Sequence, residues 1–258
     1  MILPYLKYLF KAGNAHGLHS PFLFDYYNRI IAAGKYDHPH YQQIESVRKK
    51  MRNSQQIIET VDLGAGSRVN KSNLRKVSQI ARNAEKPPRF GRLFHRMVQE
   101  HQPANILELG TSLGVTTLYF AKAAPESRVF TFEGCPHTAA IAAENFRQSA
   151  VENVDIITGN IDDTLAPFLN KLNQPLGIAY FDANHRYEPT VNYFRQCLPF
   201  AESDSVFIFD DIYWSQGMTQ AWEEIKAHPD VTLTVDLFWI GLVFFRKQQP
   251  KQDFILKF

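Results

Sequence analysis

Ile106-Leu107-Glu108-Leu109-Gly110-Thr111-Ser112-Leu113-Gly114 joins a short apolar run to a segment with helical spacing. An apolar run of this length is typical of a buried strand, and the two glycines predict a tight turn at its end. Such a turn lets the backbone approach a ligand closely, and the N-terminus of the following helix favours a negatively charged group. Glu133 ends the next predicted strand, 23 residues after Gly110, where an acidic side chain is placed to accept both hydroxyls of a ribose. Together these features predict a nucleoside-binding site.

Strand-like and helical segments alternate from about residue 103 to about residue 248. The predicted strands are Asn105–Leu109, Arg128–Glu133, Val154–Thr158, Ile178–Asp182, Ser205–Asp210, Val231–Leu237 and Gly241–Arg246. This alternation predicts a doubly wound, Rossmann-like α/β fold with a seven-stranded, mostly parallel sheet. The last two runs leave no room for a helix between them, so we expect the last strand to be antiparallel.

The distribution of charge suggests two parts with different roles. Residues 1–100 contain 17 Lys and Arg against 7 Asp and Glu, whereas residues 101–258 contain 11 against 19. The first part also has helical spacing, so we expect a helical N-terminal cap over 1–100 and a ligand-binding domain over 101–258. Its basic residues are interpreted as solvated helix faces rather than as a nucleic-acid surface, which would need one continuous basic face.

The composition excludes several classes of protein. With 45% hydrophobic residues, the chain has enough apolar side chains for a folded core. Its apolar runs fall short of the roughly 20 residues of a membrane span. A secretory signal is not expected, because the apolar start lacks a preceding basic region and a cleavage site. Only Cys135 and Cys197 are present, which argues against a disulfide scaffold and favours a cytoplasmic location.

Two alternatives to a nucleoside site concern the glycine loop itself. A dinucleotide site needs glycines where this loop has Ser112 and Val115, which disfavours NAD. A tight turn without a ligand leaves the acidic residues Glu108 and Glu133, at successive strand ends, without an explanation.

A third alternative is a hydrolase. Residues 110–114 have the Gly-x-Ser-x-Gly spacing of a nucleophile elbow, and Asp182 or Asp210 and then His228 follow in the required order. An elbow is expected after several earlier strands, however, and here it follows the first clear one. The hydrolase interpretation also gives Glu133 no role.

Residues 103–248 resemble a class I methyltransferase dependent on S-adenosylmethionine (SAM), in which Glu-Leu-Gly-x-x-x-Gly is the nucleoside-binding loop. The resemblance implies that this loop lines the methionine and ribose of SAM, that Glu133 holds the ribose hydroxyls and that Asp162 reaches the adenine. The cofactor-binding residues that it implies are Glu108, Gly110, Thr111, Ser112, Gly114, Glu133, Asn160, Ile161, Asp162 and Asp182.

A second run, Val61-Asp62-Leu63-Gly64-Ala65-Gly66, looks like another such loop. It has no third glycine and no acidic strand end at the expected distance, so we interpret it as unrelated to the cofactor. This run, residues 16–22 and the closing Phe254-Ile255-Leu256 are similar to a set found together in uncharacterised bacterial members of the superfamily.

Acidic side chains follow two later predicted strands, in Phe181-Asp182-Ala183-Asn184-His185 and in Phe209-Asp210-Asp211. Open α/β sheets bind ligands at the carboxyl ends of their strands. Three carboxylates in one cleft repel one another unless a cation or protons intervene, and oxygen ligands suit Mg²⁺, Ca²⁺ or Mn²⁺. The alternatives are that Asp210 caps a helix, that Asp211 is a solvated loop residue and that His185 is a hydrogen-bonded surface residue.

This arrangement is similar to the metal-dependent O-methyltransferases of the catechol and sugar-modifying kinds. The resemblance implies Asp182, Asp210 and Asp211 as metal ligands. It implies His185 or Asp182 as the catalytic group that accepts the proton of the substrate. Ala183 stands where that family commonly has glycine, and His185 stands where the catechol-type enzymes have lysine.

The sequence therefore predicts a SAM-dependent, metal-assisted O-methyltransferase acting on a small hydroxylated molecule. The alternatives are a metal-independent methyltransferase acting on nitrogen or on RNA, and a non-catalytic module that binds SAM or S-adenosylhomocysteine (SAH). Candidates for the acceptor pocket are Tyr213, Trp214, Phe238 and Trp239. The N-terminal part is a candidate for a homodimer interface or a membrane-surface helix.

Overall fold

The computed structural model describes residues 2–34, 37–61, 73–247 and 249–258. The residues form two compact units, one made of Met1–Tyr36 with Pro175–Phe258 and the other of Asp37–Gln174. We call them the first unit and the second unit and describe each by itself. The division into a cap over 1–100 and a SAM-binding domain over 101–258 follows different boundaries and stays a prediction. Residues 62–66 of the second glycine-rich run lie outside the described residues.

Helices and strands of the described residues follow the alternation that the sequence predicts. The helices are α1 (Ile2–Lys11), α2 (Pro21–Tyr26), α3 (Pro39–Asn53), α4 (Val77–Ala84), α5 (Pro88–His101), α6 (Val115–Ala123), α7 (Pro136–Gln148), α8 (Ile161–Leu169), α9 (Tyr187–Cys197) and α10 (Gln216–Ala227). The strands are β1 (Ile57–Glu59), β2 (Leu74–Lys76), β3 (Asn105–Leu109), β4 (Arg128–Glu133), β5 (Val154–Thr158), β6 (Leu176–Phe181), β7 (Val206–Asp210), β8 (Leu233–Asp236), β9 (Ile240–Phe244) and β10 (Gln252–Ile255). The helical character of the N-terminal part is confirmed; its strands β1 and β2 form a small antiparallel pair.

In the second unit, β3, β4 and β5 lie side by side and run parallel. Their bounds are those predicted from the sequence. All of β3 is buried, whereas β5 is only partly buried. The register pairs Leu109 with Phe132 and Glu133 with Thr158. The three strands therefore end side by side, and the loops that follow them are neighbours.

In the first unit, the strand order is β10-β8-β9-β7-β6. The prediction of an antiparallel strand is confirmed by β9, which runs antiparallel to both β7 and β8. The pairs β6–β7 and β8–β10 are parallel. The register pairs Phe181 with Phe209, so the loops after β6 and β7 also begin side by side.

The prediction of seven strands is wrong, because the central sheet of the described residues has eight. The additional strand is β10, which pairs in parallel with β8. It is only four residues long and lacks the apolar run that identifies the other strands. Two tyrosine hydroxyls hold the chain just after it: Tyr8 donates to the Leu256 carbonyl at 2.6 Å, and Tyr27 donates to the Lys257 carbonyl at 3.1 Å. Long-range contacts rather than local pattern therefore specify this strand.

The densest basic run, residues 48–52, lies on α3 and is only partly a surface feature. Arg48 is buried, with Nε 3.2 Å from Oε1 of Glu45 and Nη1 3.2 Å from Oε2 of Glu85. Met51 is also buried, in an apolar cluster of the second unit. The run therefore contributes to packing as well as to the basic surface.

The first helix, α1, has one buried and one exposed apolar face. Tyr8 and Ala12 pack against Phe238, whereas Leu6 and Phe10 remain exposed. Within the described residues, every helix is too short or too polar to cross a membrane.

Gly241 in β9 provides a test of the packing in the first unit. A Cβ atom at this position would lie 2.5 Å from the ring of Trp222, which is fully buried on α10. We expect Gly241→Ala to lower the free energy of unfolding by about 1–3 kcal/mol, because the added methyl group overpacks the core. Urea unfolding measures the change. The control is Gly217→Ala, whose nearest contact would be an ordinary 3.5 Å; equal stability of Gly241→Ala and the wild type would contradict the prediction.

Candidate functional site

The loop between β3 and α6 has the backbone shape that its glycines predict. Gly110 has a φ of 109°, Ser112 of 48° and Gly114 of 80°. A Cβ atom on Gly114 would lie 2.5 Å from the ring of Phe146, so the loop requires glycine there. The N–H groups of Gly110 and Thr111 both donate to the Phe132 carbonyl at 3.0 Å. The loop is therefore anchored to β4 before it enters α6.

Glu133, at the end of β4, is tied to this loop. Its Oε2 accepts the N–H of Ser112 at 2.8 Å, and its Oε1 accepts the N–H of Cys135 at 3.0 Å. Burial raises the pKa of Glu133, and the two N–H donors oppose that rise. Because each carboxylate oxygen has two acceptor positions, both oxygens retain capacity for a hydroxyl donor. The predicted ribose contact is compatible with this geometry and stays a prediction.

Glu108, on β3, lies below the loop and is fully buried. Its Oε2 accepts the hydroxyl of Thr117 at 2.5 Å and that of Thr131 at 2.6 Å. Thr131 also shares a 2.6 Å hydrogen bond with the hydroxyl of Thr111 in the loop. The Glu108 carboxylate therefore joins β3, β4, α6 and the loop into one hydrogen-bonded network.

The predicted adenine-binding residues lie at the turn after β5. Gly159, with a φ of 141°, donates its N–H to the Glu133 carbonyl at 3.0 Å. Asn160 begins α8, and its Oδ1 accepts the N–H of Asp162 at 3.2 Å. Ile161 is half-buried and Asp162 is exposed. The structure thus brings this turn next to Glu133.

In the first unit, Asp182 follows β6 and is held by two side chains. The hydroxyl of Tyr180 donates to Oδ2 at 3.0 Å, and Nε2 of His185 lies 3.4 Å from Oδ1. Asn184 and His185 adopt left-handed conformations, with φ of 66° and 44°. This turn folds the imidazole back onto Asp182, so the two predicted catalytic residues are in contact.

The predicted metal ligands after β7 belong to the same region of the first unit. Asp210 is fully buried at the end of β7. Asp211 has a φ of 51°, and its N–H donates to the Trp239 carbonyl at 2.8 Å. The charges of Asp210 and Asp211, like that of Asp182, act on His185. We call these three aspartates together with His185 the acidic cluster.

The donor chemistry of the acidic cluster fits a hard divalent cation. Its ligands would be carboxylate oxygens, which Mg²⁺ and Ca²⁺ prefer. The three carboxylates repel one another, and a positive charge relieves that repulsion. The ligand atoms are not drawn together around one point, however. Within the described residues, a different group brings three possible metal-ligand atoms within 4.8 Å of one another. It consists of His38, His40 and His95.

His185 supplies a positive charge to the acidic cluster. Burial alone lowers the pKa of His185, but the hydrogen bond to Asp182 and the charges of all three aspartates together outweigh burial and raise it to about 9. The imidazole is therefore protonated at neutral pH when no cation is bound.

The predicted acceptor-pocket aromatics largely pack against one another. The ring centroids of Tyr213 and Phe238 are 5.3 Å apart, and those of Phe238 and Trp239 are 5.0 Å apart. The hydroxyl of Tyr213 donates to Asp236. The N–H of Trp214 donates to the Asp211 carbonyl at 2.8 Å, next to the acidic cluster. Their role in an acceptor pocket stays a prediction.

The hydrolase interpretation gains no support from His228. Its Nδ1 lies 3.7 Å from Asp230, and its ring packs against Phe194. The histidine that contacts Asp182 is His185.

Residues 107–212 match the family described as a methyltransferase domain. This match covers less than half of the chain. A catechol O-methyltransferase of Niastella koreensis is 31% identical over 127 residues, which are 48% of this chain and 57% of that relative. The chain therefore spans little more than half of the relative's length.

Solved structures share the fold of this chain. An O-methyltransferase from Bacillus cereus in complex with SAH has a TM-score of 0.59 at 20% identity, covering 83% of this chain and 94% of that chain. An SAH-bound methyltransferase from Podospora anserina has a TM-score of 0.61 at 14% identity, covering 90% and 100%. The fold is thus the Rossmann-like class I methyltransferase fold.

Sequence reasoning missed two groups of residues. Thr117 and Thr131 are the partners of Glu108, and a carboxylate within an apolar strand is itself a signal that such partners exist. The group of His38, His40 and His95 gives a weaker signal, because only the first two are close in sequence.

The acidic cluster predicts a measurable pH dependence of the stability of the protein. We expect His185 to titrate near pH 9 in cation-free protein, and Asp182→Asn to lower that pKa by removing a hydrogen bond and a charge. Because an unfolded histidine titrates at about 6.5, the stabilisation is fully present below about pH 6.5 and is lost as the pH rises through 9. NMR titration of the histidines measures the pKa, and urea unfolding at several pH values measures the loss.

The exposed His137 supplies the control for this titration: His137→Gln should leave the pKa of His185 unchanged. A midpoint for His185 at or below about 6.5, the value of an unperturbed histidine, would contradict the prediction.

Proposed function

We propose that the methyltransferase transfers the methyl group of SAM to an oxygen atom of a small hydroxylated molecule with the help of a divalent cation. The observation that carries the proposal is the carboxylate of Glu133, which accepts the N–H of Ser112 from the glycine loop at 2.8 Å. Loop and carboxylate both lie within the matched methyltransferase domain. The catechol O-methyltransferase relative supports oxygen as the acceptor atom.

SAM binding is assigned to the ends of β3, β4 and β5. Glu133 accepts the ribose hydroxyls with the acceptor positions that its backbone donors leave open. The loop from Gly110 to Gly114 lines the ribose and methionine, and residues 160–162 contact the adenine. Glu108 positions the loop through Thr117 and Thr131 and does not itself need to touch the cofactor.

The divalent cation is assigned to the carboxylates of Asp182, Asp210 and Asp211. A cation held there would lower the pKa of the acceptor hydroxyl and orient its oxygen. Mg²⁺, Ca²⁺ and Mn²⁺ fit these oxygen ligands.

Methyl transfer forms a bond between the acceptor oxygen and the methyl carbon and breaks the carbon–sulfur bond of the sulfonium. The acceptor hydroxyl loses its proton, and SAH leaves as the neutral thioether. Asp182 or a neutral His185 accepts that proton. His185 is protonated while the aspartate charges are uncompensated, so it becomes a proton acceptor only when those charges are neutralised.

Binding of SAH tests the cofactor assignment. We expect saturable binding to the wild type and a loss of about 10- to 100-fold in Glu133→Gln, because a hydrogen bond to a charged group contributes about 1.5–3 kcal/mol. Isothermal titration calorimetry measures both affinities. The control is Glu126→Gln, which changes an exposed glutamate of the same unit and should bind SAH normally. Equal affinity of Glu133→Gln and the wild type would exclude the ribose role.

Methyl transfer to catechol-type acceptors tests the reaction. With SAM and a panel of small catechols and polyhydroxylated compounds, we expect activity with Mg²⁺ that chelation abolishes. Asp210→Asn and Asp211→Asn should lower this activity by about 100-fold or more, since truncating electrostatic catalytic groups costs 10²–10³ in rate. The control, Asp163→Asn, lies in the first turn of α8 and should keep full activity. Mass spectrometry of the products identifies the methylated atom.

The other candidate functions give different outcomes in these two experiments. A metal-independent methyltransferase acting on nitrogen or RNA would bind SAH and keep its activity after chelation. A non-catalytic SAM- or SAH-binding module would bind SAH but methylate nothing in the panel. A homodimer and a cytoplasmic location are further parts of the proposal; the exposed apolar face of α1 supports the former and the two free cysteines support the latter.

A further inference from the structure

Three histidines of the second unit converge away from the residues assigned to SAM. His38 and His40 lie at the start of α3, and His95 lies on α5. The ring centroids are 4.5 Å apart for His38–His40 and 4.7 Å apart for His38–His95. One nitrogen from each ring lies within 4.8 Å of the chosen nitrogens of the other two. We call these residues the histidine cluster.

The histidine cluster is built into the fold rather than displayed on the surface. His95 is fully buried, and the other two are half-buried. The ring of His95 packs edge-to-face on Tyr41, whose own ring lies in the core against Tyr119.

In His95 and in His40, one ring nitrogen has a hydrogen-bonding contact with the protein and the other ring nitrogen does not. The hydroxyl of Tyr41 lies 3.4 Å from Nδ1 of His95, and the His40 ring bonds to the Lys122 carbonyl. Nε2 of His95 and Nδ1 of His40 are buried and make no close hydrogen bond within the described residues, although the side chain of Gln99 lies near His95. Metal-binding histidines commonly show this pattern, in which the outer nitrogen bonds to the protein and the inner nitrogen binds the ion.

A buried nitrogen without a partner is unfavourable in a folded protein, so two such atoms in one cluster call for a ligand. Neutral imidazole nitrogens suit Zn²⁺, Cu²⁺, Ni²⁺ and Co²⁺ and are poor ligands for Mg²⁺ or Ca²⁺.

We propose that His38, His40 and His95 bind one transition-metal ion of the Zn²⁺ type, with a solvent molecule or an anion as the fourth ligand. In a tetrahedral site the ligand nitrogens are about 3.4 Å apart, given zinc–nitrogen distances of about 2.0–2.1 Å. The rings therefore move together when the ion binds. Lys122 and Arg96 lie near the histidine cluster, and their charges favour an anionic fourth ligand.

The ion would connect the start of α3 to α5 within the second unit. This site is independent of the proposed methyl transfer, because the histidine cluster contains none of the residues assigned to SAM, the divalent cation or the acceptor. Its expected effect is on stability.

The test is a titration of the full, chelator-treated chain with Zn²⁺ in competition with a chromogenic chelator. We expect one tightly bound Zn²⁺ per chain and a rise in the thermal unfolding midpoint. His38→Ala and His40→Ala should each weaken Zn²⁺ binding by more than the roughly 10–100-fold that losing an outer-shell partner costs. These half-buried residues are preferred to His95, whose removal would leave a cavity. With Co²⁺ in place of Zn²⁺, the visible absorption of a nitrogen-ligated four-coordinate ion should appear in the wild type and be lost in His40→Ala.

Two further variants separate this site from others. His137→Gln removes an exposed histidine of the same unit and should leave Zn²⁺ binding unchanged. His185→Gln changes the acidic cluster and should also leave it unchanged. The proposal is overturned if Zn²⁺ does not bind saturably, or if both alanine variants bind it like the wild type. It is also overturned if His185→Gln alone abolishes binding.

Discussion

The buried carboxylate of Glu108 fixes the position of the loop on which the cofactor assignment depends. A carboxylate inside a strand is tolerated only when donors compensate the water that it has lost. Thr117 from α6 and Thr131 from β4 supply those donors at 2.5 and 2.6 Å. Thr131 in turn bonds to Thr111 in the loop. The positions of β3, β4, α6 and the loop therefore depend on one another through these hydrogen bonds. Glu133 lies two residues after Thr131 on β4. The hydrogen-bond network of Glu108 therefore also fixes where the Glu133 carboxylate lies relative to the loop.

In the acidic cluster of the first unit, a cationic side chain partly compensates the buried negative charge. Parallel pairing of β6 and β7 ends the two strands side by side and gathers negative charge that the strands themselves do not neutralise. The left-handed turn at Asn184 and His185 places a cation, the imidazolium, against Asp182. One positive charge beside three carboxylates leaves an excess of negative charge. A divalent ion bound there, as proposed, would supply the missing positive charge, and His185 could then lose its proton.

The sequence predicts those parts of the molecule that local physics determines. Strands β3 to β5 were found at their predicted bounds, because apolar runs of strand length followed by glycine or polar residues leave few alternatives. The antiparallel direction of β9 was predictable because the segment between β8 and β9 is too short for the crossover that a parallel pair requires. The eighth strand was missed because four residues without an apolar pattern become a strand only through β8 and the hydroxyls of Tyr8 and Tyr27. Residues of the candidate site could be named from the sequence where they lie at the ends of predicted strands. The histidine cluster could not be named, because α3 and α5 come together only in the folded chain.

The two proposed metal sites would differ in the ions that they accept. Carboxylates repel one another and attract any small dication, so the acidic cluster selects by charge and suits ions that keep part of their water. Histidine binds an ion as the neutral imidazole and contributes no net charge to the site. An ion that binds the histidines must compensate the energy of losing its water by forming bonds to nitrogen. Zn²⁺ forms such bonds readily, whereas Mg²⁺ does not. The cellular excess of Mg²⁺ would thus leave the histidines available, and a scarce transition metal would find the site for which its chemistry is suited. If both proposed sites are occupied, the difference in ligand type would allow a structural ion and a reacting ion to be bound at the same time without exchange.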